Sequence, residues 1–356
     1  MSADGIVLAV DGGGVKTDLA LLDSSGALLS LVRGGGTQTH YIGVEGCIDV
    51  LESLLASAVA EGGLAPLERP FAATAQLLLA GMDLPEELAA LRVAMEQRHW
   101  SERLVLGNDT EALLRAGTDR GWGIAVVCGT GINCLGRARG GREARFLSFG
   151  PVSGDWGGGR DVGLGALAAA VRAADGRGPR TVLEDAVPSY FGLGDALEVA
   201  RAFHLEEMPA VRLGELARVV LAVCDEDRVA AEIVRRLGDE VVAFAVAALR
   251  RLELTGADPD VVLGGSLLRA VSPSVVEMIT RGVHGVAPMA RVVVSPSEPI
   301  VGAALLGLDA LGADGAARAR ARAELDAAAA ERQPPSSMAS DSSVATSTTR
   351  RSAPAL

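Results

Sequence analysis

The sequence predicts an α/β protein built from two similar halves, and three observations carry that reading. Short apolar runs close on glycine-rich turns, as in Ile6–Val10 before Asp11-Gly12-Gly13-Gly14 and Gly123–Cys128 before Gly129-Thr130-Gly131. Such runs suit strands buried on both faces of a sheet. Ala- and Leu-rich stretches at helical spacing lie between them and would cover those faces. The pattern then restarts at Gly121 with strand, glycine turn, return strand and polar turn, which points to an internal duplication.

Taken in order, Ile6–Val10, Asp18–Leu22 and Leu28–Arg33 read as consecutive hairpin strands, with Asp23-Ser24-Ser25-Gly26 as a turn. Val44–Ala60 spaces its apolar residues as a helix does. Ala72–Gly81 is a strand ending in a glycine turn, and Pro85–Gln97 is a helix. Arg103–Leu106 runs into Gly107-Asn108-Asp109, and Thr110–Ala116 begins a helix. In the second half, Gly123–Cys128 and Asn133–Arg137 form the echoing hairpin, followed by the turn Arg139-Gly140-Gly141. Gly150–Gly165 is glycine-dense and sets Asp155 in a loop; helices then continue to about Leu254. Val261–Leu263 meets Gly264-Gly265-Ser266, Val292–Val294 is a late strand, and Pro299–Leu311 is a Gly/Ala-rich helix. Ala316–Arg332, alternating Ala and Arg, is expected to be an exposed helical extension. From Gln333 onward the Ser/Pro/Thr-rich segment lacks apolar periodicity and is expected to be disordered.

Composition narrows the function. Hydrophobic residues at 49% permit a large core, and aromatics at 3% leave aliphatic side chains to fill it. A net charge of −12 argues against a nucleic-acid surface, because phosphate backbones require a basic field. Lysine is nearly absent and arginine carries the positive charge, as a GC-rich coding bias would produce. The apolar run Ile6–Val10 is too short to span a membrane and lacks a basic start, so no membrane partner and a cytoplasmic location are expected. Cys47, Cys128, Cys134 and Cys224 form no CxxC pair and have no histidine at metal-ligand spacing. A thiol in an apolar run such as Ile124–Cys128 reads as a small core residue.

The chemistry rests on turns that follow buried strands. Three glycines after Asp11 let a backbone approach an anion and aim N–H groups at it; a ligand-free glycine hairpin is the competing reading. The stretch Asp11–Thr17 matches neither GxxxxGK[ST] nor GxGxxG. Gly129-Thr130-Gly131 repeats the arrangement, and two such turns in duplicated halves could grip one polyphosphate from both sides. Asp109 ends a strand where a helix begins, the usual place for site residues in parallel α/β folds. It reads either as the carboxylate that accepts a proton in phosphoryl transfer or as a helix N-cap.

The series VDGGGVKT, GNDTEALL, GTGIN, SGDWGGG and VLGGS resembles the acetate/sugar kinase, heat-shock chaperone and actin superfamily. Within it, the chain is similar to the BadF/BadG/BcrA/BcrD ATPase-like family that includes N-acetylglucosamine kinases. The resemblance covers about residues 5–312. It implies two ribonuclease-H-like (actin-like ATPase) domains with a central ATP and sugar cleft, 1–117 and 118–312; composition adds a helical extension 313–332 and a disordered tail 333–356. It implies ATP and Mg²⁺ as cofactors, a homodimer, and phosphorylation of the 6-hydroxyl of an amino sugar, N-acetylglucosamine or glucosamine. Under that resemblance Asp109 is the catalytic base and Asp11 organises Mg²⁺ through water. Gly12, Gly13, Gly14, Lys16, Thr17, Thr130 and Gly131 bind phosphates, while Gly264, Gly265 and Ser266 meet the nucleoside. Thr39, His40, Gly81, Asn108, Asn133 and Asp155 line the sugar side with Asp109. A lone histidine in a loop also reads as a solvated surface residue, so His40 keeps that second reading.

Three departures from the family pattern bear on this. Val15 stands where a hydroxyl residue is common, Thr39 where these kinases tend to have Asn, and Trp156 where an acid usually follows Asp155. Trp156 could offer an apolar face to a sugar ring, and Asp161 or Glu45 could meet a free ammonium. The alternative within the resemblance is a BadF-type ATPase, or a regulatory nucleotide-binding protein, without sugar kinase activity.

Overall fold

In a computed structural model, residues 5–64 and 68–332 are described, and the tail expected from Gln333 onward lies outside them. The first half runs β1 (Val7–Gly12), β2 (Lys16–Leu22), β3 (Leu28–Gly35), α1 (Thr39–Glu61), β4 (Ala72–Leu79), α2 (Pro85–Glu96), β5 (Ser101–Gly107) and α3 (Asp109–Gly117). The second continues with β6 (Gly123–Cys128), β7 (Ile132–Arg137), β8 (Glu143–Arg145), α4 (Gly158–Ala174), α5 (Leu183–Phe191), α6 (Ala196–His204), α7 (Leu216–Val223), α8 (Arg228–Arg251), β9 (Asp260–Gly264), α9 (Pro273–His284), β10 (Arg291–Val294), α10 (Pro299–Ala310) and α11 (Gly315–Glu331).

The duplication is written in the sheets. The first has strand order β3-β2-β1-β4-β5, and the second, read from its other edge, β8-β7-β6-β9-β10. In each, an antiparallel hairpin (β1 with β2, β6 with β7) is followed by a parallel partner (β4, β9). β1 is buried along nearly its whole length because both of its faces are covered. Leu8 and Val10 join the core under α1, while Val7 and Ala9 pack against α10. In the second sheet Ile124, Val126 and Cys128 face the core with α8, and Ala125 faces Leu113 and Leu114 of α3. Helix α3 therefore lies between the two sheets, with its N-terminus at the mouth between the glycine turns.

Three expectations change. Helix α1 begins at Thr39, ahead of Val44, but Gly43 (φ 72°, ψ 174°) breaks it, so the regular part starts where the apolar spacing does. The glycine-dense stretch is not all loop, since α4 starts at Gly158. Residues 299–312 and 313–332 were expected in the second half and in an exposed extension. Instead α10 packs on β1 and α3, and α11 buries Ala317, Ala321 and Leu325 in the same core. The Ala/Arg alternation hid this i, i+4 stripe of small residues and Leu. At the α3–α10 crossing the backbones nearly touch: a Cβ on Gly302 would stand 1.8 Å from the Ala112 carbonyl oxygen.

Candidate active site

The first turn is closed by Gly13 N–H donating to Lys16 O at 2.8 Å. A Cβ on Gly12 would meet Thr37 Oγ1 at 2.2 Å and Leu79 Cδ2 at 2.4 Å, so packing excludes any side chain there. One on Gly14 would stand 3.2 Å from Thr130 Oγ1 in the second turn. The two turns thus face each other across the mouth between the sheets. Thr17 does not take part: it is fully buried and its hydroxyl donates to Thr37 Oγ1 at 3.1 Å. Its strand position points it inward, which removes it from the expected phosphate set.

The second turn is carried by the start of α4. Gly159 N–H donates to Gly129 O at 2.8 Å and Arg160 N–H to Thr130 O at 3.1 Å. A Cβ on Gly129 or Gly131 would meet no atom of the described residues within 4 Å, so these glycines answer to no packing demand there and leave the turn's backbone open to a ligand. Gly264 and Gly265 differ. A Cβ would strike Leu113 Cδ1 at 2.3 Å or Cys128 O at 2.2 Å, so the fold alone requires both. Ser266 beside them is exposed.

Asp109 is the first residue of α3, yet it does not cap the helix. Asn108 does: its Oδ1 accepts from Thr110 N–H at 3.0 Å and from Thr110 Oγ1 at 2.6 Å. Asp109 Oδ1 is buried with no hydrogen-bond partner among the described residues. Burial first, and the charge of Asp83 second, push its carboxyl up to about 7. Asp83 itself is pushed up to about 6, mainly by burial. Its Oδ1 accepts from Asn108 Nδ2 at 2.9 Å and from Asn133 Nδ2 at 2.8 Å. Asn133 Oδ1 in turn accepts from Ser148 Oγ at 2.6 Å. This network joins the two halves and already engages the Asn133 amide expected to meet a sugar. Sequence reasoning missed Asp83; an acid two residues beyond the strand-end Gly81 was the available signal.

Around this network, Thr39 and His40 open α1, and His40 Nε2 lies 2.7 Å from Glu87 Oε1. Gly81 (φ +78°) would bring a Cβ within 3.1 Å of the Gln38 side chain. Asp155 Oδ2 accepts from Ser153 Oγ. The Arg236 guanidinium stacks 4.1 Å from the centre of the Trp156 ring, so one face expected for a sugar is covered. Asp161 accepts from Gly157 N–H at 2.9 Å, and Glu45 lies 3.7 Å from Arg98; both carboxylates have protein partners.

Asp11 stands one residue before the end of β1, close to Asp109. Its carboxyl is held well above the usual range by burial, then by the charges of Asp109 and Asp18, against the opposing pull of Lys16. Among the described residues no three His, Cys, Asp or Glu side chains gather as a metal-binding group. Mg²⁺ needs no such cage, because it takes one or two carboxylates and completes its shell with water and phosphate. A half-buried Asp11 crowded by other carboxylates suits a divalent cation, and the open second turn suits a polyphosphate. A group of charges that the sequence reading passed over lies alongside: Asp18, Arg33, Arg269 and Glu298.

Duplicated sheets that present opposed glycine turns around half-buried carboxylates define an actin-like ATPase. The chain belongs to the BadF/BadG/BcrA/BcrD ATPase family, whose match spans residues 8–307. It is 25% identical over 269 residues to the N-acetylmuramic acid/N-acetylglucosamine kinase of Clostridium acetobutylicum, covering 75% of this chain and 86% of that one. It is 28% identical over 193 residues to the N-acetyl-D-glucosamine kinase of Dictyostelium discoideum, covering 50% of this chain and 58% of that one. A solved structure from Chromobacterium violaceum, provisionally named an N-acetylglucosamine kinase, superposes with a TM-score of 0.69 at 26% identity, over 85% of this chain and 99% of that one.

Proposed function

We propose that this protein is a sugar kinase that transfers the terminal phosphoryl group of ATP to the 6-hydroxyl of an amino sugar, N-acetylglucosamine or glucosamine. The observation that carries the reading is Asp109 Oδ1, buried without a hydrogen-bond partner among the described residues, at the mouth between two opposed glycine turns. A buried polar atom left unpaired is costly, and a hydroxyl donating to it would remove the cost. Because Asn108 caps α3, the Asp109 carboxylate is left to take the proton of the attacking alcohol. The likeness to the two kinases named for N-acetylglucosamine supports the sugar class.

The remaining residues take positioning roles. Mg²⁺ bound with ATP supplies charge neutralisation for the polyphosphate, and Asp11 would hold it. The backbones at Gly13–Gly14 and Gly129–Gly131, with Thr130, would hold the phosphates. Asp83 keeps Asn108 and Asn133 in place beside the base, and Thr39, His40, Gly81 and Asp155 would face the sugar. A primary alcohol suits a recessed base because its carbon extends beyond the ring. Residues 1–117 and 118–298 are proposed as the two closing units, in a homodimer.

An electron-transfer role for the alternative BadF-type ATPase would need paired, accessible cysteines to hold an iron–sulfur cluster. Cys128 and Cys134 are buried in the β6–β7 hairpin, and burial pushes the Cys128 thiol up to about 12. The kinase reading is tested by ADP release over glucosamine, N-acetylglucosamine, N-acetylmuramic acid, glucose and mannose. Turnover is expected with an amino sugar. Reaction with a non-sugar alcohol alone would overturn the acceptor assignment.

A further inference from the structure

Lys16 is the only lysine in the chain: each of the other basic side chains among its 33 lysines and arginines is an arginine. The position therefore stands apart from the composition around it. A lysine offers a compact ammonium with three rotatable donors, where arginine offers a planar fork. Lys16 opens β2, and its side chain is 45% exposed. Its Nζ donates to Glu298 Oε2 at 3.0 Å and lies 3.7 Å from Asp18 Oδ2.

Glu298 stands at the N-cap of α10, but its side chain caps nothing. Small polar residues usually hold that position. Instead its buried carboxylate receives cations from three separate segments. Lys16 comes from the first turn, Arg33 Nη2 from β3 at 3.0 Å, and Arg269 Nη1 from just beyond Gly264-Gly265-Ser266 at 3.6 Å. Arg33 is fixed in turn by two bonds to Asp18, at 2.7 and 2.9 Å. Burial opposes ionisation of Glu298, yet these cations hold its carboxyl below the usual glutamate range.

We propose that Glu298 is a positioning residue that holds the Lys16 ammonium at the first turn and ties that turn to the segment after β9. A polyphosphate entering between the turns then finds a donor already aimed. The inference rests on the nucleotide reading of the turns given above. It also accounts for the lone lysine, since an arginine at 16 would satisfy Glu298 with its fork and commit more of its donors there.

The test reads Lys16 directly, because it is the only side-chain amine in the chain. Acylation by an N-hydroxysuccinimide ester is followed by peptide mass spectrometry, which separates Lys16 from the α-amino group. Glu298→Gln is expected to speed acylation about tenfold, the scale of one lost ionic hydrogen bond. ADP with Mg²⁺ is expected to slow acylation in the wild type. In steady state Glu298→Gln should raise KM for ATP about tenfold, while kcat and KM for the sugar stay within about twofold. Glu298→Asp should recover part of that loss. Equal acylation rates in wild type and a folded Glu298→Gln, or an equal rise in both KM values, would overturn the proposal. Should Glu298→Gln fail to fold, Lys16→Arg decides: a raised KM for ATP supports the proposal and an unchanged one overturns it. Calorimetry keeps the two readings apart. Wild type that binds no ADP defeats the nucleotide reading, whereas the two acylation rates without nucleotide still decide the Glu298–Lys16 link.

Discussion

The first and second glycine turns occupy equivalent places in equivalent sheets, but they are built differently. The first is confined: Gly12 is pressed by Thr37 and Leu79, Thr17 is sealed in, and Lys16 is held by Glu298. The second is open above Gly129 and Gly131 and is supported from below by the first amides of α4. Duplication thus supplied two copies of one hairpin. One is a rigid holder of charge beside Asp11 and Asp109, and the other is an open backbone surface, which the proposed function gives to the phosphates.

If the chemistry belongs to the charged first half, removing its base should have the largest effect. Asp109→Asn is expected to lower kcat at least about a hundredfold, the lower range for lost general-base catalysis, with ADP affinity by calorimetry nearly unchanged. Near-normal turnover would erase the distinction between the halves. The confinement of the first turn comes next. Gly12→Ala should lower unfolding free energy by about 1–3 kcal/mol, as overpacking does, measured by denaturant titration.

The pH profile sharpens the same point. Asp109 must be ionised to accept a proton, and its carboxyl is raised to about 7, so kcat/KM should fall as pH drops through neutrality. Asp83→Asn removes a like charge and keeps an acceptor oxygen for the two amides, so this acid limb should move to lower pH. A limb that stays in place would separate Asp83 from the base. The smallest effect is expected at the open turn. Gly129→Ala should leave stability unchanged or raise it by up to about 1 kcal/mol, as at unstrained sites, while KM for ATP rises. A stability loss equal to that of Gly12→Ala would show that the turns are not different.

The duplicated halves and the strand-end position of Asp109 were legible because they rest on short-range pattern: apolar runs, glycine turns and an acid at a fixed offset. Asp83 and Glu298 were not legible, because their partners come from segments far apart in the chain, Asn133 and Lys16 among them. Thr17 misled because its place in a motif does not reveal which face of β2 it occupies. Helix α11 misled because alternating Ala and Arg resembles a solvated helix until the 317/321/325 stripe meets the first sheet. Trp156 could not be read without Arg236, a contact made from α8.

The near contact of Gly302 with the Ala112 carbonyl joins α3 and α10 backbone to backbone. Asp109 leads one of these helices and Glu298 leads the other, so the proposed proton acceptor and the proposed holder of the lone ammonium share a single chassis. Slippage between the helices would require the crossing itself to open. Under the proposed function, loops of the second half could therefore be exchanged to admit a different alcohol while the spacing of base to phosphate turn is conserved, which would make acceptor scope and transfer geometry separately tunable. A substitution as small as Gly302→Ala would disturb the second trait from a position that touches neither substrate.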